Sequence, residues 1–401
     1  MLGYGVVLVV AAVTTWLLTF PVRRLAVRFG AVVMPGDRHV HSTPTPTAGG
    51  VAMFGAVVVA MGVASLMGQF DRAFEGSSEP LGVVLAAGVI LLVGLVDDVR
   101  DVSAPAKLAG QVLAGCLLSF LGVTMLYFRI PFLDIVSISP DMAPLLTVLW
   151  VAAIANAVNL IDGLDGLAAG IVAIAAAAFF IYGQRLSDVG LLEPENAGPL
   201  IAVVACGVCL GFLPHNFHPA RIIMGDAGSM LLGLLMACST MMVGGRTADQ
   251  FSGQTYFFFA PMVIPLFVLG VPILDTVFAI VRRSVRRSKV SAADKEHLHH
   301  RLMRLGHGHR RSVVILWIWT AILSGLVLVP TITGEGQAGI PFAGLGLLVA
   351  LYTMFHPGIR QRVETEAEAR AEADARKVDG KDDDLAEVVA LAERRREADG
   401  S

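Results

Sequence analysis

The chain has 401 residues, 55% of them hydrophobic and 16% charged, with a mean hydropathy of +0.70 and a formal net charge of −3. This balance excludes an ordinary soluble domain and a basic nucleic-acid binder, and it indicates a polytopic membrane protein. The four cysteines (Cys116, Cys206, Cys209, Cys238) fall in apolar stretches. No disulfide framework is expected, and the Cys206-x-x-Cys209 pair lacks the two further ligands of a metal site.

At about 17–25 residues per span, roughly eleven candidates follow in chain order. They lie near 2–20, 49–68, 80–96, 106–126, 143–160, 166–183, 197–213, 227–244, 256–281, 312–331 and 337–355. No Lys or Arg precedes the first, whereas Arg23, Arg24 and Arg28 follow it. That order predicts an uncleaved span with its N-terminus outside. Alternating from there, all but four of the 30 Lys and Arg residues fall on the inner side; Arg72, Arg129, Arg185 and Arg246 are the exceptions. So strong a positive-inside bias supports the count. The expected fold is an all-α polytopic integral membrane protein of about 11 transmembrane helices, with a cytoplasmic C-terminus. The outer stretch "YFRIPFLDIVSI" (127–138) has the residues of a small β-hairpin. The transmembrane unit covers 1–358, and 359–401 reads as a charged cytoplasmic tail, partly helical or disordered.

The polar residues are distributed unevenly over this topology. Five clusters map to the inner face: "MPGDRHVHSTPTPTAGG" (34–50), "LVDDVRDVSAPAKLAGQ" (95–111), "NAVNLIDGLDGLAAG" (156–170), "PHNFHPARIIMGDAGS" (214–229) and "DKEHLHHRL" (294–302). The outer loops hold nothing comparable, so the clusters are expected to assemble one site at the inner surface.

Asp97 and Asp98 close a helix, where the macrodipole disfavours negative charge, so they call for a cation such as Lys107; Asp101 is nearby. Asn159, Asp162 and Asp165 recur every three residues and would share one face of a helical turn. Gly163 and Gly166 would let a ligand approach the backbone. Gly225, Asp226, Gly228 and Ser229 stand at a helix start, where N–H groups can receive phosphate oxygens and Asp226 can hold a metal or cap the helix. The run His297-x-His299-His300-Arg301 leaves three readings open: phosphate contact, a basic membrane-surface loop, or zinc. Asp275, an acid near the inner end of a span, is either functional or paired with a basic neighbour. The ligand inventory is rich in oxygen, which selects a hard cation such as Mg²⁺ or Mn²⁺.

Four of these stretches, "GLVDDVRDVSAPAKLAGQ", "NAVNLIDGLDGLAAG", "NFHPARIIMGDAGSMLLG" and "DKEHLHHRL", resemble the polyprenyl-phosphate N-acetylhexosamine-1-phosphate transferases, in family order over roughly residues 30–310. The resemblance implies a Mg²⁺-dependent reaction in a bacterial inner membrane. A polyprenyl phosphate attacks the β-phosphate of a UDP-sugar, UMP leaves, and a lipid-diphosphate-sugar forms. It further implies that Asn159 and Asp226 are metal-associated. Asp97, Asp98 and Lys107 would stand at the reacting phosphates, and Asp162 and Asp165 would shape the nucleotide-sugar site. Asn156, Gly225, Ser229, His297, His299, His300 and Arg301 would bind substrate.

The H-L-H-H-R form is similar to that of the GlcNAc-1-phosphate branch, so UDP-GlcNAc is the expected donor. The acceptor is decaprenyl or undecaprenyl phosphate; the Ala-, Val- and Arg-rich style suggests a GC-rich actinobacterial source, where the lipid would be decaprenyl phosphate. A homodimer rests on family analogy alone. The first cluster departs from the family pattern at Val33 and His39, so it receives no catalytic role; contact of Arg38 or His41 with the lipid phosphate stays open. Single displacement is favoured, and a covalent phosphosugar on an aspartate is the rival. A transporter is the competing function class, but it would place its site near the midplane, often on repeats.

Overall fold

The computed structural model describes residues 1–33, 44–100, 102–129, 135–244, 270, 273, 277, 302–303 and 307–355. Among them the chain is almost wholly helical: α1 (Leu2–Arg28), α2 (Gly49–Ser65), α3 (Asp71–Glu75), α4 (Glu79–Arg100), α5 (Ala104–Phe120), α6 (Ala143–Ile161), α7 (Leu167–Asp188), α8 (Gly198–Asn216), α9 (Gly225–Gly244), α10 (His309–Thr333) and α11 (Ile340–Phe355). Among the described residues, eight helical segments are long and apolar enough to cross a membrane. α2 joins them if its continuation into Gly68–Glu75, bent by 89°, counts as one span, and α5 is one residue short of the 18 a candidate span needs. The chain is therefore an all-α polytopic membrane protein. The expected span at 256–281 and the charged tail lie outside the described residues.

The sequence explains which helix is central. α9 is "GDAGSMLLGLLMACSTMMVG", small or apolar on every side, and every residue from Ala227 to Gly244 is buried. A helix without a polar face belongs in the interior. α4, α6, α8 and α2 pack around it. α1, by contrast, shows lipid a row of exposed Val, Leu and Trp side chains, and α1, α2 and α8 pack together on the flank.

Small residues set how closely the helices meet. A Cβ on Gly94 of α4 would fall inside the van der Waals envelope of the Ala227 backbone, and one on Gly50 of α2 would lie 2.5 Å from Gly228 N. Two helices thus press backbone against backbone on the first turn of α9. Two short antiparallel ribbons complete the fold. Val32–Val33 pairs with Thr45–Pro46, and Tyr127–Arg129 pairs with Ile135–Ser137, the hairpin expected from 127–138. The first ribbon continues toward α9. Ile223 N donates to Pro46 O, while Gly49 N and Gly50 N donate to Ile223 O and Met224 O. The end of the 34–50 cluster therefore abuts the Met224-Gly225-Asp226 turn.

Gly94→Val should displace the start of α9. Overpacking at this contact is expected to cost about 1–3 kcal/mol. A lowered melting temperature of the detergent-purified protein would show it, and an unchanged melt would refute the close approach.

Candidate active site

Three helix ends meet around the first turn of α9. Asp97 and Asp98 lie in the last turn of α4, Lys107 in the first turn of α5, and Asn159 in the last turn of α6. The Lys107 Nζ stands 2.5 Å from Asp97 Oδ2 and 2.5 Å from Asp226 Oδ2. It is the cation that Asp97, an acid at a helix C-terminus, calls for. Asn159 Nδ2 donates to Asp226 Oδ1 and to Ser229 Oγ, each at 2.9 Å. Asp97 Oδ1 also accepts the Val102 N–H at 2.7 Å.

Asp98 behaves differently from its neighbour. Its carboxylate accepts the backbone N–H groups of Asp226 at 2.8 Å and Ala227 at 3.4 Å. These are helix-start donors, and the sequence suggests them for phosphate oxygens; in the structure a carboxylate from α4 takes them. Asp226 is not the cap of its own helix. Gly225 has φ +71, a left-handed conformation, and a Cβ there would collide with the Asp98 carboxylate.

The three-residue spacing of Asn159, Asp162 and Asp165 does not put them on one helical face. α6 ends at Ile161, Asp162 is its C-cap, and Asp165 belongs to the turn before Gly166 (φ +76), the N-cap of α7. The two acids separate. Asp162 stays near the cluster, and its carboxyl is held well above the usual carboxylate range, first by burial and then by the charges of Asp226, Asp98 and Asp165. Asp165 is buried and turns to the loop after α8. Its Oδ2 lies 2.6 Å from His218 Nδ1 and accepts the Ala220 N–H at 3.1 Å.

Several residues not singled out by the sequence join the site. The His218 and His309 rings stack at 4.0 Å with 21° between planes, and Arg310 Nε donates to His218 O at 3.1 Å. His218 and Gly308–Arg311 line an open cleft of about 470 Å³. Asp165, His218 and His309 hold ligand-type atoms within 4.8 Å of one another. Near-parallel rings do not converge their lone pairs on one ion, and a carboxylate–imidazole hydrogen bond accounts for the 2.6 Å contact. Asn216 Oδ1 accepts the Gly166 N–H at 2.9 Å and its Nδ2 donates to Ile222 O at 3.1 Å. Asn156 pairs its amide with that of Gln111: Asn156 Nδ2 donates to Gln111 Oε1 at 2.7 Å, and Gln111 Nε2 donates back at 3.2 Å. Both ends of Asn156 are thereby used within the protein. Arg38, His41, Asp101, Asp275, His297, His299, His300 and Arg301 lie outside the described residues.

Asp97 and Asp226 close on Lys107, the one lysine among the described residues, while Asp98 adjoins them at the start of α9 and the charges of Asp226 and Asp98 act on Asp162. An all-oxygen set with excess negative charge fits a hard divalent cation. Asp226 and Asp97 are the carboxylates nearest each other across the ammonium. Asn159 would present its oxygen after a half-turn of its amide.

Crowded acids carry a stability cost. An unfolded Asp titrates near ~3.9, and Asp162 titrates higher in the folded protein. Stability should therefore fall as the pH rises from the unfolded value through the folded one. Asp162→Asn should melt a few degrees above the wild type at pH 7.5 in chelator, with the gap closing toward acid. A lower melting temperature at pH 7.5 would contradict the repulsion.

Comparison with known proteins identifies the family. Residues 80–244, which run from α4 to the end of α9, match the family described as glycosyl transferase family 4. The chain is 40% identical over 357 residues (85% of this chain, 87% of the relative) to a decaprenyl-phosphate N-acetylglucosaminephosphotransferase of Mycobacterium tuberculosis. It is 35% identical over 324 residues (81% and 84%) to a probable undecaprenyl-phosphate N-acetylglucosaminyl 1-phosphate transferase of Bacillus subtilis. It is 33% identical over 332 residues (75% and 89%) to a phospho-N-acetylmuramoyl-pentapeptide-transferase of Desulforudis audaxviator. With the acids of α4, the asparagine of α6 and the Gly-Asp start of α9 all inside the matched region, the chain belongs to glycosyl transferase family 4, the polyprenyl-phosphate N-acetylhexosamine-1-phosphate transferases.

Proposed function

We propose that the protein transfers GlcNAc-1-phosphate from UDP-GlcNAc to a polyprenyl phosphate, releasing UMP and forming polyprenyl-diphospho-GlcNAc. Decaprenyl phosphate is the first choice of acceptor and undecaprenyl phosphate the second, on the names of the relatives that match at 40% and 35%. Relatives named for GlcNAc match more closely than the one named for the MurNAc-pentapeptide, which supports UDP-GlcNAc as donor. The observation that carries the reading is the joint of Asp97, Asp98, Lys107, Asn159 and Asp226 at three helix ends and the start of α9.

The proposed setting is the cytoplasmic face of a bacterial inner membrane, with eleven spans, the N-terminus outside and the C-terminus in the cytoplasm. The positive-inside count supports that orientation. A site at helix ends on that side is open both to a cytoplasmic nucleotide sugar and to a lipid phosphate arriving within the leaflet.

The chemistry follows from charge. A phosphate monoester has a second pKa near ~6, so at neutral pH the lipid phosphate is largely a dianion and needs little help from a base. The obstacle is bringing it to the β-phosphorus of another polyanion. Mg²⁺ (or Mn²⁺), held by Asp226 with Asn159, would supply charge neutralisation of the diphosphate and of the departing UMP. Lys107 would meet the acceptor phosphate. Asp97, which grips Lys107, would aim that ammonium and take a residual proton from the acceptor. Asp98 is committed to the α9 N–H groups and would act as a positioning residue. Asp165, through His218, would hold the 217–221 loop against the nucleotide-sugar side of the site. This is a single displacement: the acceptor oxygen forms its bond to the β-phosphorus as the bond to the UMP oxygen breaks.

The test is UMP release by purified protein given UDP-GlcNAc, a C50 or C55 polyprenyl phosphate and Mg²⁺. Release is expected to need all three, with EDTA abolishing it. Turnover with another UDP-sugar in place of UDP-GlcNAc would overturn the donor assignment, and no turnover with any UDP-sugar would overturn the transferase reading. Asp226→Asn should lose at least about a hundredfold in rate while melting normally. Near-normal turnover of that variant would remove Asp226 from the metal site.

A further inference from the structure

Every carboxylate oxygen of the central trio is already in contact with a nitrogen donor. Asp98 accepts two backbone N–H groups at the start of α9. Asp97 takes the Val102 N–H on Oδ1 and Lys107 on Oδ2. Asp226 takes Asn159 on Oδ1 and Lys107 on Oδ2. A carboxylate oxygen has two lone pairs and can accept an N–H while it binds a cation, but an ammonium seated on Asp226 Oδ2 occupies that side of the carboxylate and repels a divalent ion, so cation binding there works against Lys107. The backbone donors are fixed by the helices. Of the side-chain donors, Lys107 carries the charge that competes with the cation, on a stem of four rotatable carbons.

Two further features mark Lys107 as the one that moves. It is the fourth residue of α5, and a cation in a first turn opposes the helix dipole. Among the described residues, the Asp97 and Asp226 carboxylates hold it there. It is also partly exposed, at 26% of the side chain, while its partner Asp97 is at 8%. One partner is thus a buried anchor, and the other, Asp226, is 29% exposed. We infer that Lys107 is a built-in counter-cation that a divalent ion displaces from Asp226, pivoting on Asp97, so that metal loading itself frees the ammonium for the incoming phosphate. The metal-linked exchange stands on geometry; only the identity of the phosphate rests on the proposed transferase reading.

The exchange explains why a site so rich in acid also contains a lysine bridging two of them. Without a cation, the ammonium limits the repulsion between Asp97 and Asp226. With one, the same ammonium is surplus at Asp226 and becomes available to the substrate. Binding order follows: the cation precedes the acceptor phosphate.

The experiment uses purified full-length wild-type protein without either substrate. An amine-acylating reagent is applied with and without Mn²⁺ or Mg²⁺, and labelling of the Lys107 peptide is read by mass spectrometry. The cation is expected to raise Lys107 labelling several-fold; unchanged or reduced labelling would overturn the exchange. Mn²⁺ binding followed by electron paramagnetic resonance supplies the second arm. Lys107→Gln should bind Mn²⁺ about tenfold more tightly, because a competing charge in contact is removed. Lys107→Arg, whose planar fork grips two carboxylates more rigidly, should bind no more tightly than wild type. Unchanged or weaker binding by a folded Lys107→Gln would refute the competition. The outcomes separate from those of the function: Mg²⁺-dependent UMP release with unresponsive Lys107 labelling sinks the exchange alone, whereas responsive labelling without UMP release sinks the transferase reading alone.

Discussion

The structure turns on one carboxylate. α9 is buried from Ala227 to Gly244 and its first turn is pressed against α4 and α2, so the free N–H groups at its start find partners inside the protein. Asp98 supplies them from the C-terminal turn of α4. An acid there is unfavourable for α4 alone, and favourable once the positive end of α9 abuts it. Glycine completes the joint on both sides. Gly94 lets the α4 backbone reach Ala227, and Gly225 leaves room for the carboxylate at a positive φ. Helix packing and site assembly are therefore one event: the contact that docks α4 on α9 also places Asp97 and Asp226 on either side of Lys107.

That arrangement retains more negative charge than folding alone would select. A core optimised for stability would not hold Asp162 where burial and three carboxylates oppose its ionisation. The surplus makes sense as affinity held in reserve for a cation and, through it, for phosphate. It also explains the confinement of the cluster to helix ends. At the middle of a span each acid would cost roughly 2.5–3.5 kcal/mol on insertion scales. At the ends, caps, N–H groups and a lysine can satisfy them.

Much of this was legible in the sequence because membrane proteins separate apolar from polar so sharply. Hydropathy located the helices, including central α9 with no polar face, and charge asymmetry singled out the polar loops. The pairing of Asp97 with Lys107 followed from helix-dipole reasoning. Distinctions between neighbours were not legible. Asp97 and Asp98 are adjacent and identical in type, and only the approach of α9 gives one a cation and the other a helix start. The period of three in Asn159, Asp162 and Asp165 suggested a shared face, but α6 stops at Ile161, and the turn sends the last acid toward His218. His218 and Asn216 lay within a quoted cluster, yet nothing local marks them as partners of Asp165 and Gly166. His309, more than a hundred residues from Asp165, had no sequence signal beyond a histidine next to two arginines.

The split within "DGLDG" shows how one short motif serves two ends. Asp162 remains where the charges of Asp226 and Asp98 act on it. Asp165 is buried and spends its carboxylate on His218 and on the Ala220 N–H. In doing so it ties the turn after α6 to the loop that leads into Gly225 and Asp226, and Asn216 repeats the tie through Gly166 and Ile222. His309 and Arg310 extend the connection to the start of α10. The acids at the Lys107 joint are thus carried on segments tied together by a further acid, Asp165. Acids that the sequence sets side by side are told apart only by following each to its partner.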